Sequence, residues 1–444
     1  MDGREHCRYL KTFYKHQCWV FRLFGLWKLS ADMTRSHQLL HALYFNYILT
    51  IWVLSLDASC IMQLVIKAGD LNEVIEVFSI FATALAVLAK FLSIKMKNHL
   101  YRQWCEIVES STFRPNNERE IQLFQQSERL ARLIRNAYCV LSLIALNMLI
   151  FIVDDRGLPL SVYSPFDMNR KWGYLSTYGY QYIAASICCY LNIAFDSLSA
   201  SFLIHLKGQM DILCDRLKNF GKYSECNNDH KITEELKNCI KYYEEILKVA
   251  HLIEDLISLP ISIQIICSVL VMVANFFGMA FLAEPGDYAY FFKMLIYQLC
   301  MLSQIYILCY FPNEVTDRSQ TISRSLYSAE WFSWSQMNRK LTLLMMDRFD
   351  VPIRFRSIIP TYSFNLAAFT SVFTTKRQQN NILLCFIKKH EQLKYFSANL
   401  KLKRNLQRTT KSLIGPKSNN RETSTADVKE RNSWTELDEL DEYS

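Results

Sequence analysis

The chain has 444 residues, of which 51% are hydrophobic, yet it contains only 11 Gly and 9 Pro. A soluble chain of this length usually folds as two or three domains and carries more turn residues. The formal net charge is +8. The basic clusters Lys388–Lys389 and Lys401–Arg404 lie among few aromatic residues, so no nucleic-acid partner is expected.

Apolar residues come in blocks that are long enough to cross a bilayer as helices, which takes about 20 residues. Six such blocks are clear, and a seventh, Ile358–Phe373, is shorter and less distinct. The pattern predicts an all-α, polytopic membrane protein with seven transmembrane helices. The six clear blocks are Leu39–Ile66, Val74–Ile94, Asn136–Val153, Leu175–Leu206, Leu256–Leu282 and Ala289–Phe311.

Lys and Arg are distributed unevenly among the segments that join these blocks. The segments of one side (1–38, 95–132, 207–255 and 313–349) hold 27 of them, and those of the other side hold 4. Because positive residues stay on the cytoplasmic side, the amino terminus is predicted to be cytoplasmic. This orientation is opposite to that of the G-protein-coupled receptors and argues against that class. The long second outer loop, Asp154–Tyr174, could fold over an opening in the membrane.

The chain is predicted to divide into four regions. Residues 1–38 form a cytoplasmic amino-terminal segment, and residues 39–312 form the first six transmembrane helices with inner helical extensions. Residues 313–373 form a cytoplasmic helix and an incomplete seventh helix, with Pro312 marking the point where the sixth helix leaves the lipid. Residues 374–444 form an atypical tail that is predicted to be disordered.

The inner segments are polar but keep apolar residues at helical spacing. Helices that continue beyond the membrane would bundle with one another or with partner subunits. Amphipathic connectors on the membrane surface are the alternative. The two apolar sets are Leu206, Met210, Leu213, Leu217 and Phe220, and Leu236, Ile240, Tyr243, Ile246 and Leu247.

Two charged residues lie within the apolar blocks. Asp196 is expected near the inner end of the fourth block, where a carboxylate finds water or a partner at lower cost than at the bilayer centre. Lys90, near the inner end of the second block, is expected to extend its ammonium group to the interface.

No catalytic motif such as GxSxG or HExxH is present, so the chain is not expected to be an enzyme. The 14 Cys form no CxxC pair. His37 and His41 share a helix face but lack a third ligand nearby. Neither a metal nor a cofactor is therefore predicted.

Aromatic residues with a few hydroxyl groups occupy the outer halves of the predicted helices. Such a lining suits a small, mostly apolar ligand. The same side chains could instead pack helices or form the aromatic belt at the membrane surface. The candidate ligand-binding residues are Phe78, Phe81, Met148, Phe151, Tyr178, Tyr182, Ser186, Tyr190, Tyr290 and Tyr297.

Three motifs at the inner ends of the blocks resemble those of the insect odorant receptor family. "FDSLSASFLIHLKGQMDIL" (Phe195–Leu213) is similar to the fourth span of the family. "CIKYYEEIL" (Cys239–Leu247) is similar to the segment before the fifth span, with Tyr243 where a His is common. "NEVTDRSQTISRSLYSAEWF" resembles the exit of the sixth span. The resemblance covers roughly residues 10–372.

This resemblance implies an odorant-tuning subunit of a ligand-gated, non-selective cation channel in the plasma membrane of a sensory neuron. Such subunits bind a small volatile ligand and form a heterotetramer with a shared co-receptor subunit. In the family the seventh helix lines the pore, which gives Ser363, Asn365, Leu366, Phe369 and Thr370 as pore candidates. The candidates for the subunit interface are Asn313, Glu314, Ser319, Leu326, Tyr327 and Trp331.

Two other functions remain open. "TYSFNLAAF" (Thr361–Phe369) has the spacing of the seventh-helix motif of insect gustatory receptors, which are also ligand-gated channels, but it has Ala368 where they have Gln. A membrane carrier with a substrate site near the bilayer centre is the alternative from a different class.

The resemblance ends near Val372, where "TTKRQQNN" follows. The apolar part of the seventh block has 16 residues, which is about 24 Å of helix and less than the bilayer core of about 30 Å. Residues 374–444 hold 14 basic and 9 acidic residues. Either this tail is a genuine isoform, or the gene model reads into an intron or another frame. A genuine tail would leave the pore helix incomplete.

Overall fold

The computed structural model describes residues 14–27, 35–69, 71–152, 157–220, 229–281, 288–358, 363–367 and 370. Within these residues the fold is helical, apart from an isolated antiparallel bridge between Arg356 and Ser363. A π-helical stretch, Leu49–Leu54, joins α2 to α3. The α-helices are α1 (Lys15–Leu23), α2 (Arg35–Ile48), α3 (Ser55–Ile66), α4 (Leu71–Met96), α5 (Asn98–Val108), α6 (Glu118–Phe151), α7 (Lys171–Lys218), α8 (Asp229–Phe281), α9 (Tyr288–Tyr327) and α10 (Gln336–Phe349).

Among the described residues, six helical stretches are long and apolar enough to cross a membrane. The first span is the continuous stretch Arg35–Ile66, and α4, α6, α7, α8 and α9 are the second to sixth spans. The six clear predicted helices are therefore confirmed. Most of the predicted seventh helix and the whole tail of residues 374–444 lie outside the described residues.

Three of the spans are much longer than a bilayer requires. Helices α7, α8 and α9 have 48, 53 and 40 residues, and at about 1.5 Å per residue each exceeds the hydrocarbon core of about 30 Å. Their extensions pack against one another and against α10. The predicted packing of these extensions into a bundle is thus confirmed, and its location on the cytoplasmic side stays a prediction.

The apolar sets predicted on the extensions form the core of this bundle. Leu206, Met210, Leu213 and Leu217 on α7 are completely buried, and so is Leu236 on α8. The ring of Tyr243 packs against Phe349 of α10 with 4.5 Å between ring centroids. Helical spacing in a polar segment therefore identified side chains that pack within this chain.

Helix α9 continues through Pro312 to Tyr327 without ending. Proline removes one backbone donor and usually bends or stops a helix. Here the residues beyond it keep a buried apolar stripe, because Val315, Ile322 and Leu326 are all completely buried. The boundary predicted at residue 312 therefore does not divide two helices, and the sixth span is directly connected to the inner bundle.

Ion pairs join the extensions to their neighbours. Arg216 of α7 binds both carboxylate oxygens of Glu120 on α6, each at 2.8 Å. Lys207 of α7 lies 2.6 Å from Glu314 of α9. The bidentate pair fixes the orientation of both side chains as well as their separation.

Candidate functional site

Two adjoining chambers lie among the outer halves of the spans. The inner chamber has a volume of about 110 Å³, and the outer chamber has about 50 Å³. Both are bordered by Ile80, Ala145, Leu149 and Tyr297, so they lie side by side, and we refer to them together as the cavity. A cavity bounded by several helices with few polar groups is the usual form of a small-molecule site.

The inner chamber is mostly apolar and is bordered by small side chains. Ala185 and Cys188 of α7 are each at least nine-tenths buried, and their small size leaves room between this helix and its neighbours. The lining comprises Leu56, Ile80, Thr83, Ala84, Val87, Ser142, Ala145, Leu146, Leu149, Leu160, Ala185, Cys188, Cys189, Asn192, Ile193, Tyr297, Cys300 and Met301.

The outer chamber carries more polar groups and is covered by the loop between the third and fourth spans. Leu160 of this loop is 2% exposed, and its N–H donates to Gln181 Oε1 at 3.0 Å. Ser161 Oγ donates to Glu76 at 3.0 Å. This arrangement agrees with a loop folded over an opening. The chamber is lined by Ile75, Glu76, Ser79, Ile80, Ala145, Leu149, Pro159, Ser161, Ala274, Asn275, Lys293, Met294 and Tyr297.

Of the ten candidate ligand residues, Tyr297 lines both chambers, and its hydroxyl lies 2.7 Å from Thr83 Oγ1. Phe151 is 73% exposed, Tyr182 47% and Tyr190 42%, so these rings face away from the cavity. Phe78, Phe81, Met148, Tyr178 and Ser186 are partly buried and do not line either chamber. The side chain of Tyr290 lies outside the described residues.

Aromatic rings did not locate the cavity, because small residues of α7 border it. A helix with Tyr182, Ser186 and Tyr190 on one face presents Ala185 and Cys188 in other directions, and those two residues border the cavity. The run "AASICC" (Ala184–Cys189) is the signal that would have identified this side, because small residues allow a gap or a close approach between helices.

A buried polar network lies at the inner end of the cavity. Lys90 Nζ is 2.5 Å from Asp196 Oδ1, with 1% and 0% of these residues exposed. The prediction that Lys90 reaches the interface is wrong: Asp196 lies close enough to neutralise it inside the bundle, so the ammonium need not leave the apolar region.

Four of the spans contribute further side chains to the network around this ion pair. Tyr138 OH donates to Asp196 Oδ2 at 3.2 Å, and Gln304 Nε2 donates to the same oxygen. Gln264 Nε2 of the fifth span donates to Gln304 Oε1 at 3.1 Å. Asn192 Oδ1 accepts from Lys90 Nζ at 2.5 Å. Because Asn192 also lines the inner chamber, the network forms part of the cavity wall.

A third space of about 440 Å³ lies between the third and sixth spans, closer to their inner ends. Its lining includes Leu130, which is 38% exposed, and Tyr306, which is 42% exposed. It is therefore a groove on the outside of the helix bundle, where lipid or another subunit would cover it. The two outer chambers, whose lining residues are all buried or half-buried, are the stronger candidate for a ligand site.

The segment before the predicted seventh helix is bound to the fifth and sixth spans. Ile353 N–H donates to Ser319 Oγ at 3.0 Å, and Thr316 Oγ1 donates to Ile353 O at 2.8 Å. Arg356 N–H donates to Glu254 Oε1 at 2.8 Å. Ser262 Oγ accepts from Ile358 N–H at 3.2 Å. We call residues 353–358 the joint segment.

The first candidate pore residue, Ser363, lies five residues after the end of this segment. Ser363 pairs with Arg356 in the isolated bridge, and Asn365 Nδ2 donates to Ser363 Oγ at 3.1 Å. Leu366 is 37% exposed, and Thr370 Oγ1 donates to Ala367 O. Phe369 lies outside the described residues. Pore lining by these five residues stays a prediction.

The candidate interface residues fall into two groups. Ser319 and Leu326 are 1% and 0% exposed and pack inside this chain. Tyr327, which is 62% exposed, is available for a partner. Glu314 pairs with Lys207, Asn313 Nδ2 donates to Asp317 at 2.7 Å, and Trp331 is partly buried. Ser319 and Leu326 therefore act within this chain, where Ser319 holds the joint segment, and an interface role of the other four residues stays a prediction.

The comparisons with known proteins agree with this architecture. The family described as 7tm Odorant receptor matches residues 70–375. The chain belongs to the odorant receptor family. Odorant receptor 46a, isoform B, of Drosophila melanogaster is 34% identical over 369 residues, which cover 82% of this chain and 95% of that relative. Odorant receptor 94a of the same species is 23% identical over 354 residues, 76% of this chain and 88% of the relative.

A solved structure has the same fold. The insect olfactory receptor OR5 from Machilis hrabei, in complex with eugenol, superposes with a TM-score of 0.74. It is 13% identical, and the match covers 85% of this chain and 99% of that one. The family membership confirms the resemblance seen in the sequence, and the gustatory and carrier alternatives are set aside. The chain is a multi-pass membrane protein of a receptor family.

Proposed function

We propose that this odorant receptor is the tuning subunit of a ligand-gated, non-selective cation channel, and that the two chambers hold its small volatile ligand. The observation that supports this most is the mostly apolar cavity among the six spans, with a loop across its outer end. The similar receptor from Machilis hrabei was solved with eugenol. A site of this kind captures a small apolar molecule by removing its surface from water.

The polar network offers a physical connection from the cavity to the joint segment. Asn192 lines the inner chamber and accepts from Gln304 Nε2 at 3.2 Å, and Gln304 in turn accepts from Gln264 on α8. On the same helix, Ser258 Oγ donates to Arg356 O at 2.9 Å. A ligand that favours one arrangement of these helices would shift the closed–open equilibrium by its differential affinity for the two states.

The partner is proposed to be the shared co-receptor subunit, in a heterotetramer at the plasma membrane of a sensory neuron with the amino terminus in the cytoplasm. The inner end of the helix bundle exposes large apolar side chains, among them those of Phe332 (62% exposed), Met337 (72%) and Leu344 (69%). Exposed apolar surface of this kind marks an interaction site. The seventh helices of the subunits would line the central pore.

Whole-cell current tests this function. In cells that express this chain together with the co-receptor, we expect odorant-evoked cation currents. Cells that express the co-receptor without this chain should not respond to the same set of odorants. Silence across a broad odorant panel, with the chain labelled at the cell surface, would contradict the proposal. Substrate flux in cells without any co-receptor would instead favour a carrier.

A further inference from the structure

The two chambers differ in whether their polar groups already have partners. In the inner chamber, Tyr297 OH is 2.7 Å from Thr83 Oγ1, and Ser142 Oγ is 3.5 Å from Cys300 Sγ. Asn192 accepts from Lys90 and Gln304, and its Nδ2 donates to Tyr138 OH at 3.4 Å. The polar groups of this chamber are engaged with the protein, so the inner chamber suits an apolar group.

In the outer chamber most polar groups are paired as well. Ser79 Oγ donates to Ile75 O at 3.0 Å, Ser161 Oγ donates to Glu76 at 3.0 Å, and Lys293 Nζ lies 3.4 Å from Ile152 O. Asn275 of α8 is the exception among these described side chains. It is 2% exposed, it lines the outer chamber, and its Nδ2 is buried without a hydrogen-bond partner.

We infer that Asn275 sets the specificity of the cavity, and that the ligand is a neutral, mostly apolar molecule with one hydrogen-bond-accepting oxygen at its outer end. This inference rests on the proposed function, that the chambers hold the odorant. A buried donor without a partner carries a free-energy penalty, which a ligand oxygen relieves and a hydrocarbon of the same shape does not. The apolar body of the ligand lies in the inner chamber.

The charges of the outer chamber indicate a neutral ligand. Glu76 and Lys293 both line it and have opposite formal charges, so neither a carboxylic acid nor an amine gains a net attraction there. The donor at Asn275 requires only an acceptor, which a ketone, an ester or an ether supplies. We therefore expect neutral oxygenated compounds to activate the receptor with a lower EC50 than hydrocarbons or charged compounds.

The test uses pairs of volatile compounds that differ only in one acceptor. Cyclohexanone and methylenecyclohexane form one pair, and acetophenone and α-methylstyrene form another, since C=O and C=CH₂ have nearly the same shape. Currents are recorded in cells expressing the full chain with the co-receptor, and EC50 is measured for each compound. In the parent chain we expect the ketone of a pair to be about tenfold more potent than the hydrocarbon.

Asn275→Leu removes the donor with little change in volume, and it removes a buried unpaired polar group, so surface labelling should be retained. We expect the ketone to lose its tenfold advantage while the hydrocarbon keeps its parental EC50. Asn147→Leu is the matched control, because Asn147 is exposed on the third span and does not line either chamber. It should leave every EC50 unchanged.

Three outcomes would overturn the inference, and they separate it from the proposed function. Equal potency of ketone and hydrocarbon in the parent chain would refute the role of an acceptor while leaving a ligand-gated receptor in place, and this result does not depend on any variant. A ketone advantage that persists in surface-labelled Asn275→Leu would refute the role of this residue. Silence to these compounds and to a broad panel would overturn both.

Discussion

In the outer half of the fourth span, Ala185 and Cys188 border a cavity, whereas in the inner extension of the same helix Leu206, Met210 and Leu213 are fully enclosed. The outer half leaves space between helices, and the inner half fills it with large side chains and ion pairs such as Arg216–Glu120. Because fewer contacts are lost beside an existing cavity, we expect substitutions in the lining of the outer half to destabilise the chain less than substitutions in the inner extension.

The largest effect is expected where the two halves meet, at the Lys90–Asp196 pair. Lys90→Met leaves a fully buried carboxylate without its counter-ion, which should cost about 3–5 kcal/mol. We expect surface labelling of the single variant to be nearly lost. Lys90→Met combined with Asp196→Leu removes both charges and should recover most of it.

Surface biotinylation measures how much of each variant reaches the cell surface, and size-exclusion chromatography of a fluorescent fusion measures how much of it is folded. If Lys90→Met alone matched the parent in both measurements, the buried ion pair would not stabilise the fold at the boundary between the two halves.

A second prediction compares one substitution in the two halves. Leu213→Ala, in the fully buried inner extension, should destabilise the chain by about 2–5 kcal/mol, since it opens a cavity in packed surroundings. Leu146→Ala borders the existing inner chamber, where fewer contacts are lost, and should cost less. Apparent melting temperatures in detergent give the order directly, and equal shifts for both would argue against a difference in packing.

A smaller effect is expected at the joint segment. Ser319→Ala removes the acceptor for Ile353 N–H, which should cost about 1–3 kcal/mol because that donor is left without its partner. The maximal odorant-evoked current should change while EC50 stays near the parental value. Ser328→Ala, at an exposed position near the end of the same helix, is the control. An altered EC50 with an unchanged maximum would place Ser319 in ligand binding instead.

The sequence predicted the spans and the inner bundle because both depend on patterns along one helix. Stretches of apolar residues and the spacing of Leu206, Met210 and Leu213 are visible without knowing how helices face one another. The resemblance of the inner motifs led to the correct family for the same reason, since these motifs lie in the packed half of the chain.

The site could not be predicted in the same way because it depends on the rotation of each helix. Tyr182 and Ala185 are three residues apart, and only the packing of α7 decides that Ala185 borders the cavity while Tyr182 is 47% exposed. Likewise, Lys90 and Asp196 lie on different helices, and their 2.5 Å contact follows from the arrangement of those helices. Aromatic content alone was a poor guide to the cavity.

The most direct test of the proposed ligand site is to fill the cavity with a larger side chain. Ala145 borders both chambers, and Ala145→Trp would place an indole ring in the space proposed for the ligand, with Ala145→Leu as a smaller step. Val140→Trp is the control, because Val140 lies on the same helix and is 58% exposed. With the co-receptor present and surface labelling unchanged, we expect Ala145→Trp to raise EC50 more than tenfold or abolish the current, Ala145→Leu to raise it less, and Val140→Trp to behave as the parent. A parental EC50 in both Ala145 variants would contradict the claim that the odorant binds in these chambers.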